Sequence, residues 1–258
     1  MRILFIGDVF GKPGRRAFAA KLPELSSIEG PFDFVVINCE NAAAGFGMTK
    51  GLMEELFAAG ADIMTSGNHI WDKKDFVPVL DAEPAILRPA NYPAGTPGRG
   101  YGVFEKNGLR LGVVNVQGRA FMPPIDCPFK ATERALDELP DVPVFVDFHA
   151  EATAEKVALA RYFDGRVSAL TGTHTHVQTA DNSVLQGGTA FITDAGMTGS
   201  HSGVIGMKYD SVITKFLLGI PSKFEVEEAH PRIQGVVIDI DDESHRALDI
   251  RRIDKPAD

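Results

Sequence analysis

The sequence predicts a single α/β domain over residues 1–258, built on one mixed sheet or on two packed sheets. Two observations carry this. Short β-branched or aromatic runs alternate with amphipathic segments along most of the chain, the pattern of βαβ units. A two-residue Asn107-Gly108 turn between two β runs brings antiparallel pairing into the middle of that alternation. Length and composition agree, because 258 residues with 44% hydrophobic and 24% charged side chains suffice for a substantial core and exclude disordered, collagen-like and coiled-coil chains.

Taken in order, residues 3–7 (ILFIG) predict a buried strand and 15–25 a helix with Pro13 near its start. Residues 34–38 (FVVIN) repeat the strand signal. A helix over 49–59 follows, capped by Thr49 and closed by Gly60. Residues 62–65 form the third strand and 72–80 a short helix opened by Asp72. Four prolines and four glycines between Pro84 and Gly102 make that stretch an extended loop. Residues 103–106 and 109–116 form the hairpin. The alternation then resumes with a helix at 130–139, a strand at 144–148, a helix at 153–163 and a strand at 167–171. A Gly-rich strand at 189–193, a helix at 210–218 and a β pair, 233–240 with 246–253 across Asp241-Asp242, complete the chain.

The net charge of −9 argues against a bulk surface that grips nucleic acid, since such surfaces cluster Lys and Arg. The uncharged stretches 3–7 and 34–38 are far shorter than the roughly 20 apolar residues of a membrane helix. Asp8 also interrupts any secretory-signal pattern. Two cysteines, Cys39 and Cys127, build no disulfide framework and suit a reducing compartment. The expectation is a cytoplasmic protein with no membrane partner, with homo-oligomerisation left open and Cys39 a small buried residue.

Chemistry collects where β runs end. His69 lies in Ser66-Gly67-Asn68-His69, His149 in Asp147-Phe148-His149, and His174 and His176 in Gly172-Thr173-His174-Thr175-His176. Asp8 follows the first strand and Glu40-Asn41 the second. In α/β sheets ligands bind outside the carboxyl ends of strands, so five strand ends converge on one crevice. Each group taken singly has a structural explanation as a cap, a loop acid or a hydrogen-bonded histidine. Together, without a ligand, they would leave several buried polar groups unpaired at about 1–3 kcal/mol each. Divalent metal ions remove that cost. An extended 174–176 segment would turn both imidazoles to one side, within reach of neighbouring ions.

These ordered blocks resemble the calcineurin-like metallophosphoesterases. The segments CENAAAGFG, SGNHIWD, RPANYP, DFHAEAT, GTHTHVQTAD and ITDAGMTG are more closely similar to the YmdB-type branch of that superfamily, from Ile3 to about Met207. The resemblance implies a four-layer αββα sandwich, two mixed β-sheets flanked by helices. It further implies one metal held by Asp8, Glu40, Asn41 and His176, and a second held by Glu40, Asn68, His149 and His174, with Glu40 as the bridge. The sequence departs from the wider superfamily at Asp8-Val9-Phe10, where Phe10 stands in place of the usual histidine, and at Glu40, where aspartate is commoner. An oxygen-rich first site favours iron or manganese, with zinc or magnesium as alternatives.

Two divalent ions, two carboxylates and a bridging hydroxide would leave about one positive charge to meet a phosphate. The expected reaction is in-line attack of that hydroxide on phosphorus, with His69 as the general acid that protonates the leaving oxygen. The resemblance points to 2′,3′-cyclic nucleotides or similar small phosphodiesters. A phosphomonoesterase and a non-catalytic metal- or nucleotide-binding regulator are the alternatives. Asn91 and Tyr92 in the Pro-rich loop, and Thr198 and His201 in a Gly/Ser loop, are further substrate-contact candidates. Trp71 either stacks on a base or packs, and Glu151 either orients a ligand histidine or caps the helix after it.

Overall fold

The computed structural model describes residues 1–257; Asp258, the last position of the predicted domain, lies outside the described residues. One sheet is built around β1 (Arg2–Ile6), β3 (Phe34–Asn38) and β4 (Ile63–Thr65), which run parallel, with β12 (Pro231–Ile240) antiparallel on the other side of β1. β13 (Ala247–Pro256) pairs β12, and β11 (Met197–Ser200) links β12 to the short β2 (Asp8–Val9). The second sheet holds the hairpin of β5 (Tyr101–Lys106) and β6 (Leu109–Gln117). From β6 it continues in parallel through β7 (Val144–His149), β8 (Ala169–Thr173) and β10 (Ala190–Ile192), with β9 (Ser183–Val184) antiparallel at the edge.

Three apolar layers hold these sheets, and the period-2 alternation of each strand assigns its side chains to them. Ile3 and Phe5 of β1, Phe34 and Val36 of β3, and Leu111, Val113 and Phe145 of the other sheet meet between the sheets. The intervening Leu4, Ile6, Val35 and Ile37 face α1 (Gly11–Glu29) and α2 (Lys50–Ala58) through Phe18, Leu22, Leu25, Met53 and Leu56. On the far side, Val114, Val116, Val146 and Phe148 meet Ala131 and Ala135 of α4 (Pro128–Glu138) and Leu159 and Ala160 of α5 (Thr153–Tyr162). The result is the expected four-layer αββα sandwich of two mixed sheets. No helix among the described residues is long and apolar enough to cross a membrane.

Several boundaries differ from the sequence expectation for local physical reasons. α1 starts four residues earlier, at Gly11. Gly14 lets it lie against β11, because a Cβ there would sit 2.2 Å from the Thr198 carbonyl oxygen. Thr49 caps α2 as expected, its hydroxyl accepting the Leu52 N–H at 3.4 Å. The predicted 72–80 helix is instead two single 3₁₀ turns, Asn68–Trp71 and Lys74–Phe76, followed by α3 (Val77–Ala82) with Pro78 in its first turn. Asp72 therefore opens no helix and instead closes the first 3₁₀ turn. Asn107 and Gly108 both take positive φ, 52° and 79°, as the tight hairpin turn requires. β11 occupies part of the stretch read as a Gly/Ser loop; Gly199 and Ser200 give little local strand signal, and pairing with β2 and β12 decides it.

Candidate active site

Along each central strand, the face turned to the opposite sheet changes from apolar to polar at the carboxyl end. β3 reads Phe34, Val36, Asn38 and then Glu40; β7 reads Phe145, Asp147, His149; β6 reads Val113, Asn115, Gln117; β8 reads Ala169, Thr171, Thr173. The parallel strands thus deliver their polar groups to one end of the inter-sheet core, and all of these side chains are buried.

Glu40, His149 and His174 form the centre, each offering a ligand atom within 4.8 Å of the others. His149 Nε2 lies 3.0 Å from Glu40 Oε1 and 3.1 Å from His174 Nδ1. Asn41 Nδ2 lies 3.0 Å from the same Glu40 oxygen and 3.1 Å from His176 Nε2. Asp8 accepts the His174 N–H at 3.0 Å, and its other oxygen is buried with no hydrogen-bond partner. Asn68 Oδ1 is likewise buried and unpaired. Gly67 makes the packing possible, because a Cβ there would sit 2.2 Å from the His149 ring and 2.3 Å from Glu40 Oε2.

The electrostatics follow from burial and proximity. Burial works against the charge on His149, but Glu40 together with Asp8 and Asp147 outweighs it and raises the imidazole to about 9. Burial also resists charge on Glu40, yet His149 holds that carboxyl down at about 2. His174 falls to about 3, first through burial and then through the positive His149. Burial pushes Asp8 well above the usual carboxylate range. Two carboxylates, two amides and three imidazoles, with two buried oxygens unpaired, have the chemistry that fits a divalent cation.

The 174–176 segment departs from the sequence expectation. It is not extended: His174 and His176 take φ of 100° and 63°, strain of the kind held at functional sites. His174 consequently faces His149 and Glu151, whose Oε2 lies 3.3 Å from its Nε2, while His176 faces Asn41. Asp194, which sequence reasoning misses, holds this segment. It accepts the Thr175 N–H at 3.1 Å and the Thr175 hydroxyl at 2.7 Å, and it is paired with the buried Lys156 at 2.8 Å. A second group missed in this way is Asp147. It accepts from Thr65, Asn38 and Thr173, while Thr173 Oγ1 takes His149 Nδ1 at 2.9 Å and so turns Nε2 toward Glu40. A signal for it exists in the i, i+2 spacing of Asp147 and His149 on one face of β7.

The blocks that carry Asp8, Glu40, His149, His174 and His176 therefore meet at one place, and the profile of YmdB-like proteins matches residues 4–253. The chain belongs to the YmdB-like family. The match runs past Met207 through most of β13. Among YmdB-like and related proteins, the chain is 51% identical over 255 residues to a 2′,3′-cyclic-nucleotide 2′-phosphodiesterase of Bacillus subtilis, covering 98% of this chain and 96% of that one. The crystal structure of a novel phosphatase from Mycoplasma pneumoniae superposes with a TM-score of 0.94 at 33% identity, covering 100% of this chain and 94% of the other. A hypothetical protein from Thermus thermophilus superposes with the same TM-score of 0.94 at 42% identity, over 100% of both chains.

In this YmdB-like chain the centre opens into a cavity of about 440 Å³ that includes Glu40, Asn41, His69, His174 and His176. His69 stands at its edge, its N–H on Glu40 Oε2 at 3.2 Å and its Nδ1 2.8 Å from Asp72 Oδ2. The loop candidates lie elsewhere. Asn91 is buried, with its amide on the carbonyls of Gln117 and Asp126 and its oxygen on the Gln117 N–H. Tyr92 bonds Gln117 Oε1 and packs against Trp71 at 5.1 Å. Thr198 is buried in β11, exchanging hydrogen bonds with the Gln234 backbone, and exposed His201 has Nε2 3.0 Å from the Met197 carbonyl oxygen. None of the four lines the cavity.

Proposed function

We propose that this chain is a metal-dependent phosphodiesterase that opens 2′,3′-cyclic nucleotides. The observation that carries the reading is the cluster of Glu40, His149 and His174 beside the unpaired buried oxygens of Asp8 and Asn68. The name of the Bacillus subtilis relative supports the substrate. Asp8, Glu40, Asn41 and His176 would hold one ion, and Glu40, Asn68, His149 and His174 the other, with iron or manganese favoured by the oxygen-rich first set. Divalent cations bound there supply Lewis-acid activation of water and neutralise charge on the phosphoryl oxygens.

The chain's own residues complete the chemistry. Asp72 takes Nδ1 of His69, which leaves Nε2 as the atom that carries a proton to the leaving ribose oxygen. The His69 N–H on Glu40 ties this acid to the centre. His69→Ala is expected to lower kcat on 2′,3′-cyclic AMP by roughly 10²- to 10⁴-fold at unchanged metal content; a full rate would remove its role. Asp147→Asn loses an acceptor that fixes Thr173 and through it His149, so Mn²⁺ affinity should fall roughly 10- to 100-fold in a titration. The function itself is tested with the manganese- or iron-loaded protein against cyclic nucleotides and a phosphomonoester. Turnover confined to the monoester would overturn the phosphodiesterase reading.

A further inference from the structure

We propose that the outer part of the cavity is a nucleobase subsite that accepts purines and pyrimidines without distinguishing them. The proposal rests on the phosphodiesterase reading and extends it to the part of the substrate that does not react. The cavity lining is of two kinds: Glu40, Asn41, His69, His174 and His176 with Glu151 and Thr175, which are engaged with His174 and Asp194, and an apolar wall of Phe10, Phe46, Met207, Val212, Phe216 and Phe224. Two contacts join the two kinds, Phe10 meeting the His176 ring edge-on at 5.4 Å and Phe46 meeting the His69 ring edge-on at 5.0 Å. A ligand whose phosphate sits at the histidines has its remaining bulk directed onto aromatic and aliphatic surface. The volume, about 440 Å³, lies in the range of small-molecule sites.

The wall is built. Phe10 is buried, and Gly45 and Gly206 leave room for its ring, since a Cβ at either would come within 2.7 and 2.6 Å of ring carbons. The cation of this wall, Lys215, lies over the Phe224 ring at 5.2 Å and is engaged there. Phe216, in α6 (Tyr209–Leu218), is 78% exposed, an apolar surface left open beside a reactive centre. Every base offers a π-face, whereas discrimination between bases needs hydrogen bonds to their edges. An aromatic, aliphatic wall therefore binds bases and sorts them weakly.

The test compares 2′,3′-cyclic AMP, GMP, CMP and UMP with glycerol 1,2-cyclic phosphate, which keeps the five-membered cyclic diester and lacks a base. The metal-loaded wild type should turn over the four nucleotides with kcat/KM values within about tenfold of each other. It should show a KM about tenfold or more higher for the glycerol ester. Phe224→Ala and Phe216→Ala should raise KM for the nucleotides by about tenfold, leave kcat within about twofold, and leave the glycerol ester unaffected. Binding of 3′-AMP, measured calorimetrically, should weaken in the same variants by a similar factor, while binding of glycerol phosphate should not change. Equal losses on both ligand types, unchanged 3′-AMP binding, or a preference for one base above about 100-fold would overturn the subsite. Failure of the wild type on both cyclic diesters would overturn the phosphodiesterase reading instead, with 3′-AMP binding still deciding the subsite.

Discussion

Gly67→Ala is expected to lose nearly all phosphodiesterase activity while remaining folded. The added methyl would meet the His149 ring at 2.2 Å and Glu40 Oε2 at 2.3 Å, far inside van der Waals contact. These are two of the three side chains at the centre, and neither has room to retreat. His149 is fixed by Thr173 on its other nitrogen, and Glu40 is held by Asn41 and the His69 N–H. A displacement of about 1 Å at a reacting centre typically costs about 10²-fold, and here both groups must move, so the loss should be at least that large. Overpacking of this kind costs about 1–3 kcal/mol, which a chain of this size survives. Kinetics beside circular dichroism checks the expectation; a folded Gly67→Ala protein with wild-type rate and metal content would show that the site does not have this geometry.

Lys156→Met should produce the largest loss of stability of any single substitution considered. Lys156 projects from α5 into the interior, and both it and Asp194 are inaccessible to solvent. Removing one partner of a buried ion pair leaves the other charged and uncompensated, at about 3–5 kcal/mol. For a chain of about 250 residues this lowers Tm by roughly 6–20 °C. Activity should fall as well, because Asp194 also holds Thr175 between His174 and His176. Lys156→Met combined with Asp194→Asn removes the stranded charge and should recover part of the lost stability, though not the orientation of Thr175. A single Lys156→Met variant that melts with the wild type would contradict the assignment of this pair as a support of the histidine segment.

Much of the architecture could be read from local pattern. The strands ILFIG and FVVIN and the Asn107-Gly108 turn are short-range signals, and tertiary structure preserves them. The convergence of Asp8, Glu40, Asn68, His149 and His174 was legible because parallel strands send their carboxyl ends the same way. What could not be read depends on distant partners. Asp72 looks like a helix cap in sequence, yet it holds His69 because the chain after Gly67 winds into 3₁₀ turns. The paired orientation of His174 and His176 comes from left-handed backbone that no spacing rule predicts for histidine. Asn91 and Thr198 sit in polar loop-like stretches and were natural substrate contacts on paper; backbone groups from β6 and β12 take up their hydrogen bonds. Lys156 carries no local sign of burial, since its partner Asp194 lies 38 positions further on.

In the proposed phosphodiesterase, Glu40 would be shared by two cations where the strand ends meet. The most direct test is metal stoichiometry measured together with 2′,3′-cyclic AMP turnover, on wild type and Glu40→Gln reconstituted in parallel with Mn²⁺. The wild type should take up two ions per chain and turn the substrate over, with occupancy reduced and the rate down by at least about 10³-fold in the variant. A wild type that takes up no metal, or a Glu40→Gln protein that keeps both its ions and its rate, would contradict that sharing.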